Sequence, residues 1–109
     1  MATYFRTKVT NNIGTTSIDV VQTAANNRFT IIGCNLANTT DTTVAVDVLV
    51  YGPDSAVAYY VKQLLIPGYN SAKLITNGEK LILAENCGLR IISDTDSSID
   101  AVVSYAEII

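Results

Sequence analysis

Residues 43–51, TVAVDVLVY, put Val44, Val46, Val48 and Val50 on one side of an extended chain and Thr43, Ala45, Asp47, Leu49 and Tyr51 on the other. Strand side chains alternate with a period of two, so this spacing buries one face of a strand and cannot line up along one face of a helix. The same reading, applied along the chain, predicts eight or nine strands near residues 3–9, 17–22, 28–36, 43–51, 56–66, 71–75, 79–84, 88–93 and 98–108. All are rich in Val, Ile, Thr and Tyr, the residue types that fit a pleated, half-buried surface.

Turn chemistry separates these runs. NNIG at 11–14, AANN at 24–27, NTTDT at 38–42, GPDS at 52–55, PGYNS at 67–71, TNG at 76–78 and ENCG at 85–88 hold the residues that tolerate positive φ or fix the φ of a turn. Asn77-Gly78, between two short apolar runs, has the form of a two-residue hairpin turn. Short strands at regular spacing point to a sandwich, a jelly roll or a barrel, and a sheet with one apolar face needs a second sheet to cover it. The expected fold is therefore all-β, an antiparallel, jelly-roll-like β-sandwich forming one domain over residues 1–109.

Composition limits what such a domain does. The chain is 49% hydrophobic and only 16% charged, with mean hydropathy +0.30, which is more apolar surface than a small isolated domain needs, so part of it is expected to meet another subunit. No apolar run reaches the ~18 residues that cross a bilayer as a helix, and MATYFRTKVTNN lacks the apolar core of a signal peptide. The expectation is a soluble protein made in a cytoplasm, without a membrane partner. A formal charge of −3 and a pI near 4.6 give no footprint for phosphate backbones, and Arg6 and Lys8 on one face of the first segment read as solvated side chains. No nucleic-acid partner is expected. Cys34 and Cys87, in a chain without an export signal, read as free, buried small hydrophobes.

Catalytic chemistry has little to stand on. There is no His, which removes imidazole bases, histidine triads and histidine metal sites, and neither phosphate-loop, dinucleotide nor CxxC motifs occur. The ten acids fall mostly in turns or on polar strand faces, so no enzyme and no cofactor is expected. Asp94, Asp96, Ser98 and Asp100 alternate in SDTDSSID as oxygen ligands do in some calcium loops, but the central Gly and closing Glu of such a loop are missing. The plainer reading is a hairpin loop whose Asp and Ser side chains bind local backbone N–H groups.

Two segments are apolar on both faces. In AVAYYVKQLLI, strict alternation sets Val57, Tyr59, Val61 and Leu65 against Ala58, Tyr60, Leu64 and Ile66. In AVVSYAEII it sets Val103 and Tyr105 against Val102 and Ile108. Either these are central strands with local register irregularity, or one face packs in the core and the other in a homo-oligomer. For the second case the candidate interface residues are Tyr59, Tyr60, Leu64 and Tyr105. The first segment, with Tyr4, Arg6 and Lys8 opposing Phe5, Thr7 and Val9, fits an edge strand that pairs with its own sheet or with a neighbouring protomer.

Several of these stretches share a further likeness. LIPGYNSAKLI, GEKLILAENCGLRI, an acidic loop and the closing SIDAVVSYAEI, with FRTKVTNNIGTT and NNRFTIIGCNLANTT before them, resemble small virion structural proteins of tailed bacteriophages, notably those of cyanobacteria. The resemblance spans nearly the whole chain and rests on strand and turn patterns. It implies a β-sandwich located in the virion, most simply a capsid decoration (cement) protein binding the shell as a homo-oligomer, a trimer by preference, beside the major capsid protein. A neck, tail or fibre-adaptor component is the alternative within that class. A carbohydrate-binding module, using Tyr51, Tyr59, Tyr69 and Tyr105, is the alternative outside it.

Overall fold

The computed structural model describes residues 2–75 and 79–109, so the hairpin reading of Asn77-Gly78 lies outside the described residues. Nine strands form: β1 (Thr3–Ile13), β2 (Ile18–Gln22), β3 (Arg28–Asn38), β4 (Val44–Tyr51), β5 (Val57–Ile66), β6 (Ser71–Ile75), β7 (Leu81–Leu83), β8 (Gly88–Ser93) and β9 (Ile99–Ile108). One sheet runs β1-β9-β3-β6, with β7 also on β3, and the other runs β2-β8-β4-β5. Every pairing is antiparallel. Apart from the β4–β5 hairpin and the β6–β7 step, each successive strand changes sheet, which is the jelly-roll form of the sandwich.

The core lies between the inner faces. Val44, Val46 and Val48 are fully buried on β4, and Leu89 and Ile91 on β8 stand beside them. Ile31, Leu36, Ile99 and Val103 supply the opposing layer. Burying one such side chain stabilises the fold by about 1.5–3 kcal/mol. The alternation read from residues 43–51 therefore sets the inner face of the second sheet.

Two places depart from strict alternation. Residues 11–14 read as a turn, yet β1 continues to Ile13, which is fully buried. Asn12 takes φ 56° as a bulge, its N–H donates to Asp100 Oδ1 at 3.0 Å, and the register with β9 shifts between Thr10 and Ile13. On β5 the register with β4 shifts on both sides of Val48. Gln63 sits at φ 54° there, and its N–H donates to Asp47 Oδ1 at 2.7 Å. The expected grouping of Val61 with Tyr59 and Leu65 is corrected by these bulges: Tyr60, Val61, Leu64 and Ile66 pack against the core, while Tyr59 and Leu65 face solvent.

Asn38 joins two loops. It is buried, and its Nδ2 donates to the carbonyls of Thr42 and Ile66 at 2.8 Å and of Pro67 at 3.2 Å, while Oδ1 accepts from the Thr40 N–H and hydroxyl. This clip brings residues 39–42 against the turn at Pro67 so closely that a Cβ on Gly68 would lie 2.5 Å from the Asp41 carbonyl. Only glycine leaves room for that approach.

Candidate assembly surfaces

The expectation of purely local binding in the acidic loop is corrected: Ser93 and Ser98 bond within the loop to Thr95, whereas the acids reach mostly to donors far away in sequence. Asp94 Oδ1 accepts from the Ala45 N–H and the Thr95 hydroxyl, Asp96 Oδ1 from the Thr15 hydroxyl, and Asp100 Oδ1 from the Asn12 N–H. Each carboxylate is thus directed at its own donor. Among the described residues no three His, Cys, Asp or Glu side chains gather as a metal site. Cys34 and Cys87 are free and buried, and burial pushes the Cys34 thiol up to about 12.

The turn-adjacent tyrosines do not make one binding surface. Tyr51 ends β4, whereas Tyr69 donates its N–H to Thr40 O in the loop ahead of β4, so the two lie at opposite ends of that strand. The Arg90 guanidinium stands 4.2 Å over the Tyr51 ring and is held by Asp19 at 2.8 Å, which occupies one face of the ring. Burial and the Asp19 charge push the Tyr51 phenol up. A shallow depression of about 680 Å³ on the outer face of the first sheet is lined by Gly33, Asn35, Lys73, Val102 and Ser104, and carries no acid–base pair.

What remains are apolar side chains left exposed on the two sheets. The four tyrosine and leucine candidates fall in two places. Tyr59 is 53% exposed on β5, with the Lys62 ammonium 4.3 Å over its ring. Tyr60 and Leu64 are half-buried beside it, and the Tyr60 hydroxyl donates to Glu79 at 2.6 Å. Tyr105 lies in the other sheet, stacked on Phe29 at 4.4 Å between ring centroids. Leu65, 64% exposed, joins Tyr59 on the rim, on the face where alternation grouped the two, although it was not among the candidate interface residues.

A second apolar area, not identified from the sequence, covers the outer face of the first sheet. Val9 pairs directly with Val102, and the row Phe5, Ala106, Thr30, Ile82 crosses β1, β9, β3 and β7. Directly opposed residues share a face, so these side chains form rows across the sheet. Phe5, Val9, Ile82 and Val102 are all exposed, as is Ile32 in the β3 bulge. The pairing that gathers them joins chain ends, which no local pattern discloses.

No family model and no curated protein matches this sequence. Solved structures do match. A chain of the infectious bursal disease virus T13 particle superposes with a TM-score of 0.59 at 11% identity, over 96% of this chain and 30% of that one. This chain therefore spans about a third of that protein. A chain from Bacillus endospore appendages, which form disulfide-linked pili, gives 0.59 at 8% identity over 96% of this chain and 86% of its own. A chain of the acid-stable capsid structure of Helicobacter pylori bacteriophage KHP30 gives 0.53 at 9% identity, over 100% and 89%. At such identities the likeness is one of fold. It is a fold that viral capsids and a bacterial surface fibre build with.

Proposed function

We propose that this chain is a structural protein of a tailed-phage virion, a decoration (cement) subunit that binds the capsid shell as a homo-oligomer, trimeric by preference, and has no catalytic role. One observation carries the reading. The sandwich corresponds to 89% of a chain in a phage capsid structure, so in that capsid the same fold makes up nearly a whole chain. Fold alone does not assign function, and the surface supplies the second half of the argument. The described residues present exposed Tyr59 and Leu65 on β5, and Phe5, Val9, Ile82 and Val102 on the other sheet, as apolar contact area. In this reading Tyr59, with the exposed margins of Tyr60 and Leu64, forms the trimer contact, Tyr105 backs the opposite sheet, and the major capsid protein is the other partner.

A tail, neck or fibre placement has its own support in the likeness to an appendage that polymerises. Both cysteines here are buried, so disulfide linkage between subunits is not part of that reading. A carbohydrate-binding role has less support, since Tyr51 and Tyr69 are apart and Arg90 covers one Tyr51 face.

The test is protein counting on purified particles, together with light scattering on the isolated chain. Copies in fixed proportion to the major capsid protein, and a trimer that adds to bare shells, are expected. A few copies confined to the tail would move the protein there, and absence from particles would overturn the virion reading.

A further inference from the structure

We propose that the open edge of β1 is a strand-pairing site for β1 of a second copy, antiparallel across a two-fold axis that sets Phe5 opposite Phe5 of the other copy. This stands on the backbone of β1 and does not depend on where in a particle the protein resides.

The direction of the free backbone groups follows from the chain ends. Ala2 donates its N–H to Ile109 O at 3.0 Å and accepts from the Ile109 N–H at 2.9 Å, which makes Ala2–Ile109 a hydrogen-bonded pair. Such pairs alternate along an antiparallel ladder. The register is unshifted from Thr3–Ile108 to Thr10–Ala101, so Tyr4, Arg6, Lys8 and Thr10 bond to β9, and the N–H and C=O groups of Thr3, Phe5, Thr7 and Val9 point away from the sheet. Among the described residues β1 has no partner on that side.

An edge of this kind invites pairing unless something blunts it, and the other edges are blunted. β5 is broken by the Gln63 bulge and two register shifts and carries Lys62. β2 has five residues and a register shift, and β6 and β7 have five and three residues. β1 alone offers a regular run from Thr3 to Thr10, exposed on both faces as far as Val9, with Phe5 79% and Val9 66% exposed.

The side chains favour a second copy in one register. With Phe5 opposite Phe5, Thr3 faces Thr7 of the other copy, and three residue pairs each exchange two N–H···O bonds. Arg6, already bound to Glu107 at 2.6 Å, then opposes Tyr4 of the other copy, and Lys8 opposes Ala2. Within one chain Arg6 already lies 5.1 Å from the Tyr4 ring centroid, so the pairing repeats a cation–aromatic contact present in the protomer. Sliding the register by two residues toward Val9 sets Arg6 against Arg6, and by four sets Arg6 against Lys8, both opposing like charges, while sliding it the other way leaves fewer hydrogen-bonded pairs between Thr3 and Val9. The favoured pairing joins two sheets into one and makes their outer apolar rows continuous through the two phenylalanines.

Two variants test this. In Phe5→Cys the two new thiols would stand about 5.5 Å apart between Cα atoms, within disulfide range, and the native cysteines are buried. Mild oxidation should give a covalent dimer of Phe5→Cys and leave Val9→Cys, whose opposite position is residue 1, monomeric on a non-reducing gel. Thr7→Pro removes an outward N–H without touching a β9 bond, and should halve the solution mass or the mass of each β1-linked assembly while the thermal transition stays in place. No cross-link at Phe5→Cys, or equal cross-linking at both cysteine positions, overturns the proposal. A Thr7→Pro protein of unchanged mass that no longer binds shells assigns the edge to a foreign strand and overturns self-pairing. Particle counting is unaffected by either result, so this failure and that of the virion reading are distinguishable.

Discussion

Asn38 concentrates more of the fold's polar accounting than any other side chain described. Its amide serves three carbonyls and two donors of Thr40, tying the loop before β4 to the turn after β5. Asn38→Ala leaves buried carbonyls without donors and should lower stability by roughly 2–3 kcal/mol, read from the denaturation midpoint. Asn38→Asp should cost more, because a carboxylate would then face three carbonyl oxygens. Cys34 and Tyr60 contribute to the alkaline pH dependence of stability. Burial raises the Cys34 thiol from its ordinary 9.0 to about 12, and the hydrogen bond to Glu79, then burial, raises the Tyr60 phenol from 10.0 to about 12. Both bind their protons more tightly folded than unfolded, so their stabilising contribution is complete below about pH 9 and is lost as pH rises towards about 12. Cys34→Ala should flatten the pH dependence of the unfolding midpoint in that window, and an unchanged slope would remove Cys34 from the account.

At the scale of elements, the irregular places decide which surfaces are free. The β5 bulge brings Val61 to the core beside Tyr60 and Leu64 while Tyr59 and Leu65 stay outside, and the Asp47 carboxylate holds it by accepting the Gln63 N–H. Asp47→Ala should cost about 1 kcal/mol and speed hydrogen exchange at the Gln63 amide, while the β4–β8 ladder stays protected. Equal exchange in both proteins would mean that the bulge is held by packing alone. β1 shows the opposite economy. It keeps one regular ladder to β9, reinforced by Arg6 and Glu107, and the bonds from Asn27 and Arg6 hold the Glu107 carboxyl below its ordinary value. The edge is thus anchored on one side and open on the other.

As a whole the molecule is elongated, 45 × 26 × 21 Å, and the ten- and eleven-residue β9, β1 and β3 of one sheet outrun β2, β8 and β4 of the other, which have five, six and eight residues. The second sheet cannot cover the far end of β1, which leaves both faces of Thr3 to Val9 in solvent. A sandwich of this shape carries distinct exposed apolar areas on its two sheets, the β5 rim and the β1 edge with its outer row. A building block needs repeated contacts of this sort, and the proposed trimer and two-fold links would use different ones.

Alternation and turn residues determined the fold class, the strand count and the inner face of β4, since period-two burial and positive-φ punctuation are local properties of the chain. The absence of His and of phosphate-binding motifs likewise bounded the chemistry before any coordinates. Tertiary structure alone decided the sheet order, the Asn38 clip and the inward side of Val61 on β5, because each depends on a partner distant in sequence. The bulges at Asn12 and Gln63 are stabilised by Asp100 and Asp47, 88 and 16 residues away, and no local period records a hydrogen bond at that range.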